Sequence, residues 1–270
     1  MDLHLNDKIV LITGGSKGLG RAMTQRFAAE GCHLHLVART QETLDEAAST
    51  LRRQYPIKVD TLAIDLAQRG AAQHVAKTCG DVDILVNNAG DVPSGSLEAI
   101  EEDRWRAGWD TKVFNYINLS REYFARMKAR RSGVIVNLTG IGGDVLDPSY
   151  IAGGVGNAAM AAFTKSLGSN SHKVGVRVVG VNPGACATER YERLARAKAQ
   201  ERYGDPDRWQ EALSTLPFGR PATPDEIAAA VVFLASPLSG YTTGVSTLIG
   251  YCRRSVLAAS SNVSCVRATR

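Results

Sequence analysis

No two cysteines in this chain form a Cys-x-x-Cys pair. Cys32, Cys79, Cys186, Cys252 and Cys265 are scattered and odd in number, so the signatures of a zinc knuckle and of a disulfide framework are both missing and reduced thiols are expected. His33 and His35 share one face of an expected strand, but no carboxylate or third ligand follows at metal-site spacing; no metal is expected. Long apolar runs are missing as well. Residues 1–8 are short and polar and lead into an apolar run containing Thr13, Gly14 and Gly15, which reads as neither a signal peptide nor a membrane span. A cytoplasmic protein with no membrane partner is therefore expected. Repeats and low-complexity linkers are absent too. The formal charge is +5, but Arg253, Arg254, Arg267 and Arg270 supply four of those charges from a stretch without an acid. The remainder is close to neutral, so no nucleic-acid groove is expected.

What is present is an alternation. Apolar runs at Ile9 to Thr13, Leu34 to Val37, Thr61 to Ile64, Ile84 to Val86, Val134 to Leu138 and Val176 to Val181 are each followed by an amphipathic stretch of helical length. That pattern predicts an α/β fold with a parallel sheet covered on both faces. Helices are expected over Gly20 to Glu30 and Gln41 to Gln54, closed by Gly31 and Pro56. Residues 189–216 form a charged insertion, with Asp205-Pro206 as the cap and first position of a second short helix. It is expected to fold over the carboxyl end of the sheet, where ligands of such folds bind.

The first strand runs into Thr13-Gly14-Gly15-Ser16-Lys17-Gly18-Leu19-Gly20, which opens the first helix. Glycines there let the backbone approach a pyrophosphate, whose charge falls on free N–H groups at the positive end of a helix. Gly14, Ser16, Lys17, Gly18, Leu19 and Gly20 are the expected cofactor contacts of this turn. Asn87-Asn88-Ala89-Gly90 follows the fourth strand and Asn182-Pro183-Gly184 the sixth. Together these motifs resemble the short-chain dehydrogenase/reductase superfamily over about residues 5–248. The resemblance implies a doubly wound Rossmann fold with a seven-stranded parallel sheet, one domain over 1–248, and a homodimer or homotetramer. It implies further that Asp65 meets the adenine, that Asn88, Ala89 and Gly90 line the adenine ribose, and that Pro183, Gly184, Cys186 and Thr188 flank the nicotinamide. The Asn-Asn-Ala-Gly run is also open to a bracing role in the sheet. At the end of the second strand Ala38 stands where NAD-preferring members carry Asp, and Arg39 with Lys17 offers two cations to a 2′-phosphate. NADP(H) is the expected cofactor, ahead of NAD(H).

The family's catalytic residues are Asn, Ser and Tyr-x-x-x-Lys. Anchored on Gly133 to Leu138 and on Ala161 to Leu167, these positions fall on Lys112, Gly140, Gly153 and Asn157. All four differ from the family pattern. The candidates that remain are Lys112, Asn157 and Tyr150. Asp147-Pro148 offers a helix cap and first position, which would set Tyr150 and Asn157 seven residues apart on one helical face; Tyr150 is equally open to packing under the loop. Lys112 is expected either to extend its ammonium into the space vacated at Gly140 and Gly153 or to reach solvent. The expected activity is an NADP(H)-dependent oxidoreductase acting on a small carbonyl or alcohol through a rearranged site. A non-catalytic NADP(H)-binding scaffold, or cofactor-assisted lyase or isomerase chemistry, are the other readings. Residues 249–270 lack periodicity and the family's usual ending, and are expected to be an atypical, poorly ordered tail, foreign or frame-shifted; an authentic tail that packs on a neighbouring subunit is the other reading.

Overall fold

Short branched and aliphatic runs whose two faces both need covering become the strands of a central parallel sheet. The strands are β1 (Ile9–Thr13), β2 (His33–Ala38), β3 (Val59–Ala63), β4 (Ile84–Asn87), β5 (Gly133–Leu138), β6 (Val176–Pro183) and β7 (Val245–Ile249). Their order is β3-β2-β1-β4-β5-β6-β7, with every neighbouring pair parallel. The computed structural model describes residues 1–250; the expected tail lies, from Tyr251 onward, outside the described residues. The six strands expected from hydrophobic runs are all present, with ends at most two residues from those expected, and β7 completes the seven-stranded sheet.

Eight α-helices are present among the described residues: α1 (Gly18–Ala29), α2 (Gln41–Gln54), α3 (Ala71–Cys79), α4 (Glu102–Trp109), α5 (Asn115–Arg130), α6 (Ile151–Gly168), α7 (Glu189–Tyr203) and α8 (Pro224–Ala235). Met23 and Phe27 of α1, Leu44 of α2 and Val231 of α8 fill the core on one face. Val75 of α3 with Leu119, Tyr123 and Met127 of α5 fill the other. No helix among the described residues is long and apolar enough to cross a membrane.

Three local features position the site. The strand order reverses between β1 and β4, which opens a crevice at the carboxyl ends of these strands. A single π turn, Asp110–Phe114, joins α4 to α5 and carries Lys112; such bulges re-aim side chains relative to a regular helix. The insertion after β6 folds as α7 followed by a 3₁₀ segment, Pro206–Thr215, capped as expected by the Asp205 carboxylate on the Asp207 N–H at 2.9 Å.

One expectation is corrected. Asp147 does not cap α6, which starts at Ile151. Its carboxylate instead accepts from the Ser149 N–H at 2.8 Å, and its carbonyl accepts from the Tyr150 N–H at 2.9 Å. This closes a separate turn in which the Gly95 N–H bonds the Ser149 carbonyl at 2.8 Å. Tyr150 is therefore itself the cap of the helix, its carbonyl accepting the Gly154 N–H at 2.8 Å.

Candidate functional site

The chain leaves β1 through Gly14, at φ +68°, and enters α1 at Gly18. A side chain at Gly20 would overlap the Gly14 carbonyl oxygen, and one at Gly14 would start 2.9 Å from the Asn88 amide nitrogen. Only bare backbone fits at these two positions. α1 begins with no side-chain cap and no acid in its first turn, so its first N–H groups and positive dipole end have no such partner among the described residues. Ser16 is buried and its hydroxyl meets Thr43 Oγ1 at 3.2 Å, while Leu19 packs at the edge of the core. Lys17 and Arg39 are exposed, and neither belongs to an ion pair among the described residues.

The loop after β4 is bound to the end of β1. Asn88 and Ala89 both donate their N–H groups to Thr13 Oγ1, at 2.9 and 3.0 Å, and the Asn88 side-chain amide donates to the Thr13 carbonyl at 2.9 Å. The Asn88 amide therefore braces the loop. Behind it, Asn87 donates to Asn137 Oδ1 at 2.9 Å, and Asn137 to Thr164 Oγ1 at 3.0 Å, in a buried network across β4, β5 and α6. Asp65, past β3, accepts the Ala67 N–H at 3.0 Å. On the remaining wall Pro183 ends β6, and the Gly184 N–H bonds the Ile249 carbonyl at 2.8 Å. Thr188 caps α7 by accepting the Tyr191 N–H at 3.3 Å, and its methyl lies 3.7 Å from where a Gly18 side chain would begin. Burial and, less strongly, Glu226 push the Cys186 thiol up to about 11, which keeps it protonated and unreactive. The loops after β1, β4 and β6 thus meet around one crevice.

Lys112, Asn157 and Tyr150 come together beside it. Lys112 Nζ donates to the Thr139 carbonyl at 2.5 Å and to Asn157 Oδ1 at 2.7 Å. Its stem is clamped: a side chain at Gly90 would start 3.1 to 3.2 Å from its Cβ, Cγ and Cδ. Burial of the amine, reinforced by the nearby Arg190 guanidinium, pushes the Lys112 pKa down to about 7. The expected space at Gly140 is bordered by the Asn157 amide, 3.0 Å from a virtual Cβ there. The space at Gly153 is not filled by the lysine. A side chain there would fall inside the Tyr150 ring, overlapping Cζ and both Cε atoms. Gly142 lies beneath both partners, its virtual Cβ 3.3 Å from Asn157 Nδ2 and 3.4 Å from the Tyr150 ring. Two participants escape sequence reasoning. Thr139 acts through its carbonyl, which no side-chain identity signals. Arg190 lies in a charged segment and becomes distinct only when its guanidinium reaches the Asp91 carboxylate and the Val92 carbonyl.

Comparison with known proteins follows this geometry. The chain is 34% identical over 251 residues to the oxidoreductase UcpA of Salmonella typhimurium, covering 91% of this chain and 94% of the relative. It is 30% identical over 246 residues to the 3-oxoacyl-acyl-carrier-protein reductase of Thermotoga maritima, covering 90% and 96%. The crystal structure of L-sorbose reductase from Gluconobacter frateurii, complexed with NADPH and L-sorbose, superposes with a TM-score of 0.84 at 30% identity, covering 92% of this chain and 97% of that one. Residues 8–199 match the family model described as short chain dehydrogenase, and the chain belongs to that family.

Proposed function

We propose that this protein is an NADP(H)-dependent oxidoreductase acting on a small carbonyl or alcohol, with Lys112 carrying the proton in place of the family's tyrosine. The fit of the dinucleotide rests on the side-chain-free cradle of Gly14, Gly18 and Gly20 and on the uncapped start of α1. The L-sorbose reductase structure, which holds NADPH, supports the same choice. Lys17 and Arg39 supply the cations that favour a 2′-phosphate. When bound, the nicotinamide supplies or accepts a hydride at carbon. The chain's own task is the proton on the neighbouring oxygen.

The observation that carries the reading is the pair of hydrogen bonds from Lys112 Nζ. An ammonium has three donors, and two are taken by the Thr139 carbonyl and Asn157 Oδ1. The third is the one available to a substrate oxygen. After giving up that proton the neutral amine still satisfies both acceptors and presents its lone pair where the proton was. Neither protonation state leaves a buried acceptor orphaned, and a pKa of about 7 suits transfer in both directions near neutral pH. Asn157 orients the amine, and Tyr150, its ring seated on Gly153, supplies the facing wall and a phenol.

The test is a screen of aldehydes, ketones and sugar alcohols followed by NADPH absorbance, run beside a fluorescence titration of cofactor. Turnover that is lost in Lys112→Ala with cofactor affinity retained is the expected result. Cofactor binding without turnover on any carbonyl class would favour the non-catalytic reading instead.

A further inference from the structure

A cleft of about 460 Å³ runs between the loop after β4, the face of α4 and the start of α7, and its charge is one-sided. Arg39, Arg104, Arg190 and Arg193 line it, against the single carboxylate of Asp91. Arg190 takes that carboxylate for itself. Of the acids beside them in sequence, Glu102 accepts from Arg106 and Glu192 from Arg196, while Asp103 pairs with neither Arg104 nor Arg193 among the described residues. Arg104 and Arg193 are exposed and belong to no ion pair among the described residues. Two helices thus present unneutralised guanidinium groups to one groove, an arrangement that repels itself until an anion enters.

The cleft also runs beside the segment that carries Lys112. Thr111, on its wall, is the residue before Lys112, and the Arg190 guanidinium is close enough for its charge to act on the Lys112 amine. Arg190, held by Asp91 and by the Val92 carbonyl at 3.0 Å, both lines the groove and acts electrostatically on the amine. We infer that Arg104 and Arg193 bind the anionic group, a phosphate or carboxylate, of a carbonyl substrate whose reacting end reaches Lys112. The inference rests on the proposed role of Lys112 in proton transfer. Guanidinium forks match the paired oxygens of such groups, and anchoring the far end of a substrate fixes the approach of its carbonyl. Arg39 lies at the same cleft, so the cofactor's 2′-phosphate is a second source of the same chemistry.

The two sources separate by calorimetric titration of inorganic pyrophosphate into the full chain, free and saturated with NADP⁺. Pyrophosphate should still bind the saturated protein. Arg104→Ala with Arg193→Ala should weaken that binding about tenfold or more, and Arg39→Ala should change it little; circular dichroism checks that each variant is folded. In kinetics with NADPH, the double variant should raise KM for dihydroxyacetone phosphate and leave that for dihydroxyacetone unchanged. Pyrophosphate displaced by NADP⁺, or sensitive to Arg39→Ala and not to the double variant, would assign the arginines to the cofactor and overturn the inference. Absence of pyrophosphate binding would overturn it as well. If NADP⁺ itself does not bind, the functional reading falls, while titration of the free wild-type and double-variant proteins still decides the arginine site.

Discussion

Replacing Lys112 with Met keeps the unbranched stem against Gly90 and removes only the amine. Two effects of opposite sign follow. The Thr139 carbonyl and Asn157 Oδ1 lose their shared donor, which costs about 1–3 kcal/mol for each acceptor left unsatisfied. Against this, the variant escapes the cost of burying a cation. In the folded protein the Lys112 pKa is lowered from 10.5 to about 7, so between these values the unfolded chain binds a proton that the folded chain does not. The wild-type lysine therefore contributes most above pH 10.5, and its contribution is lost as pH falls through about 7. At about 1.4 kcal/mol per pH unit the full swing approaches about 5 kcal/mol. Other titrating groups cancel when the two proteins are compared at each pH. Urea unfolding from pH 6 to pH 9.5 should find Lys112→Met clearly less stable at the alkaline end, with the gap closing or reversing toward pH 6. A gap that stays constant across that range would refute the burial argument, and with it the placement of a titrating amine at this site.

Three further outcomes follow from the same geometry. Gly153→Ala should destabilise by about 1–3 kcal/mol because the new Cβ overlaps the Tyr150 ring, whereas helix propensity alone predicts a gain of about 1 kcal/mol; chemical denaturation reads the sign, and stabilisation would remove the ring from its assigned seat. Arg39→Ala should weaken NADPH about ten- to a hundredfold and NADH little, by fluorescence titration; equal weakening of both would count against 2′-phosphate recognition. Carbonyl reduction, which needs the protonated Lys112, should decline as pH rises through about 7, while alcohol oxidation rises over the same range; reduction that stays flat from pH 6 to pH 9 would exclude Lys112 as the donor.

How far the sequence can be read depends on which atoms carry the information. The strands and the cradle are written in side chains, or in their absence, at consecutive positions, and both were legible: Ile9 to Thr13 is a strand, and Gly20 leaves room for the Gly14 carbonyl. The pairing of Lys112 with Asn157 was visible only as two departures from a family pattern 45 positions apart. Its geometry depends on the π turn at Asp110–Phe114 and on the Thr139 carbonyl, neither of which has a side-chain signature. The start of α6 was misplaced because Asp147-Pro148 is compatible both with a helix start and with a closed turn. The contact that decides, from Gly95 to Ser149, comes from a loop more than fifty residues away. Gly153 joins these two levels. Glycine in a helix is unfavourable by local propensity, so its presence there asks for a neighbour that needs the volume. The Tyr150 ring is that neighbour, and it folds back onto the helix from its N-cap position. A glycine that weakens its own helix therefore marks where a neighbouring ring is received, and here that ring, from the helix cap, stands beside the Lys112–Asn157 pair.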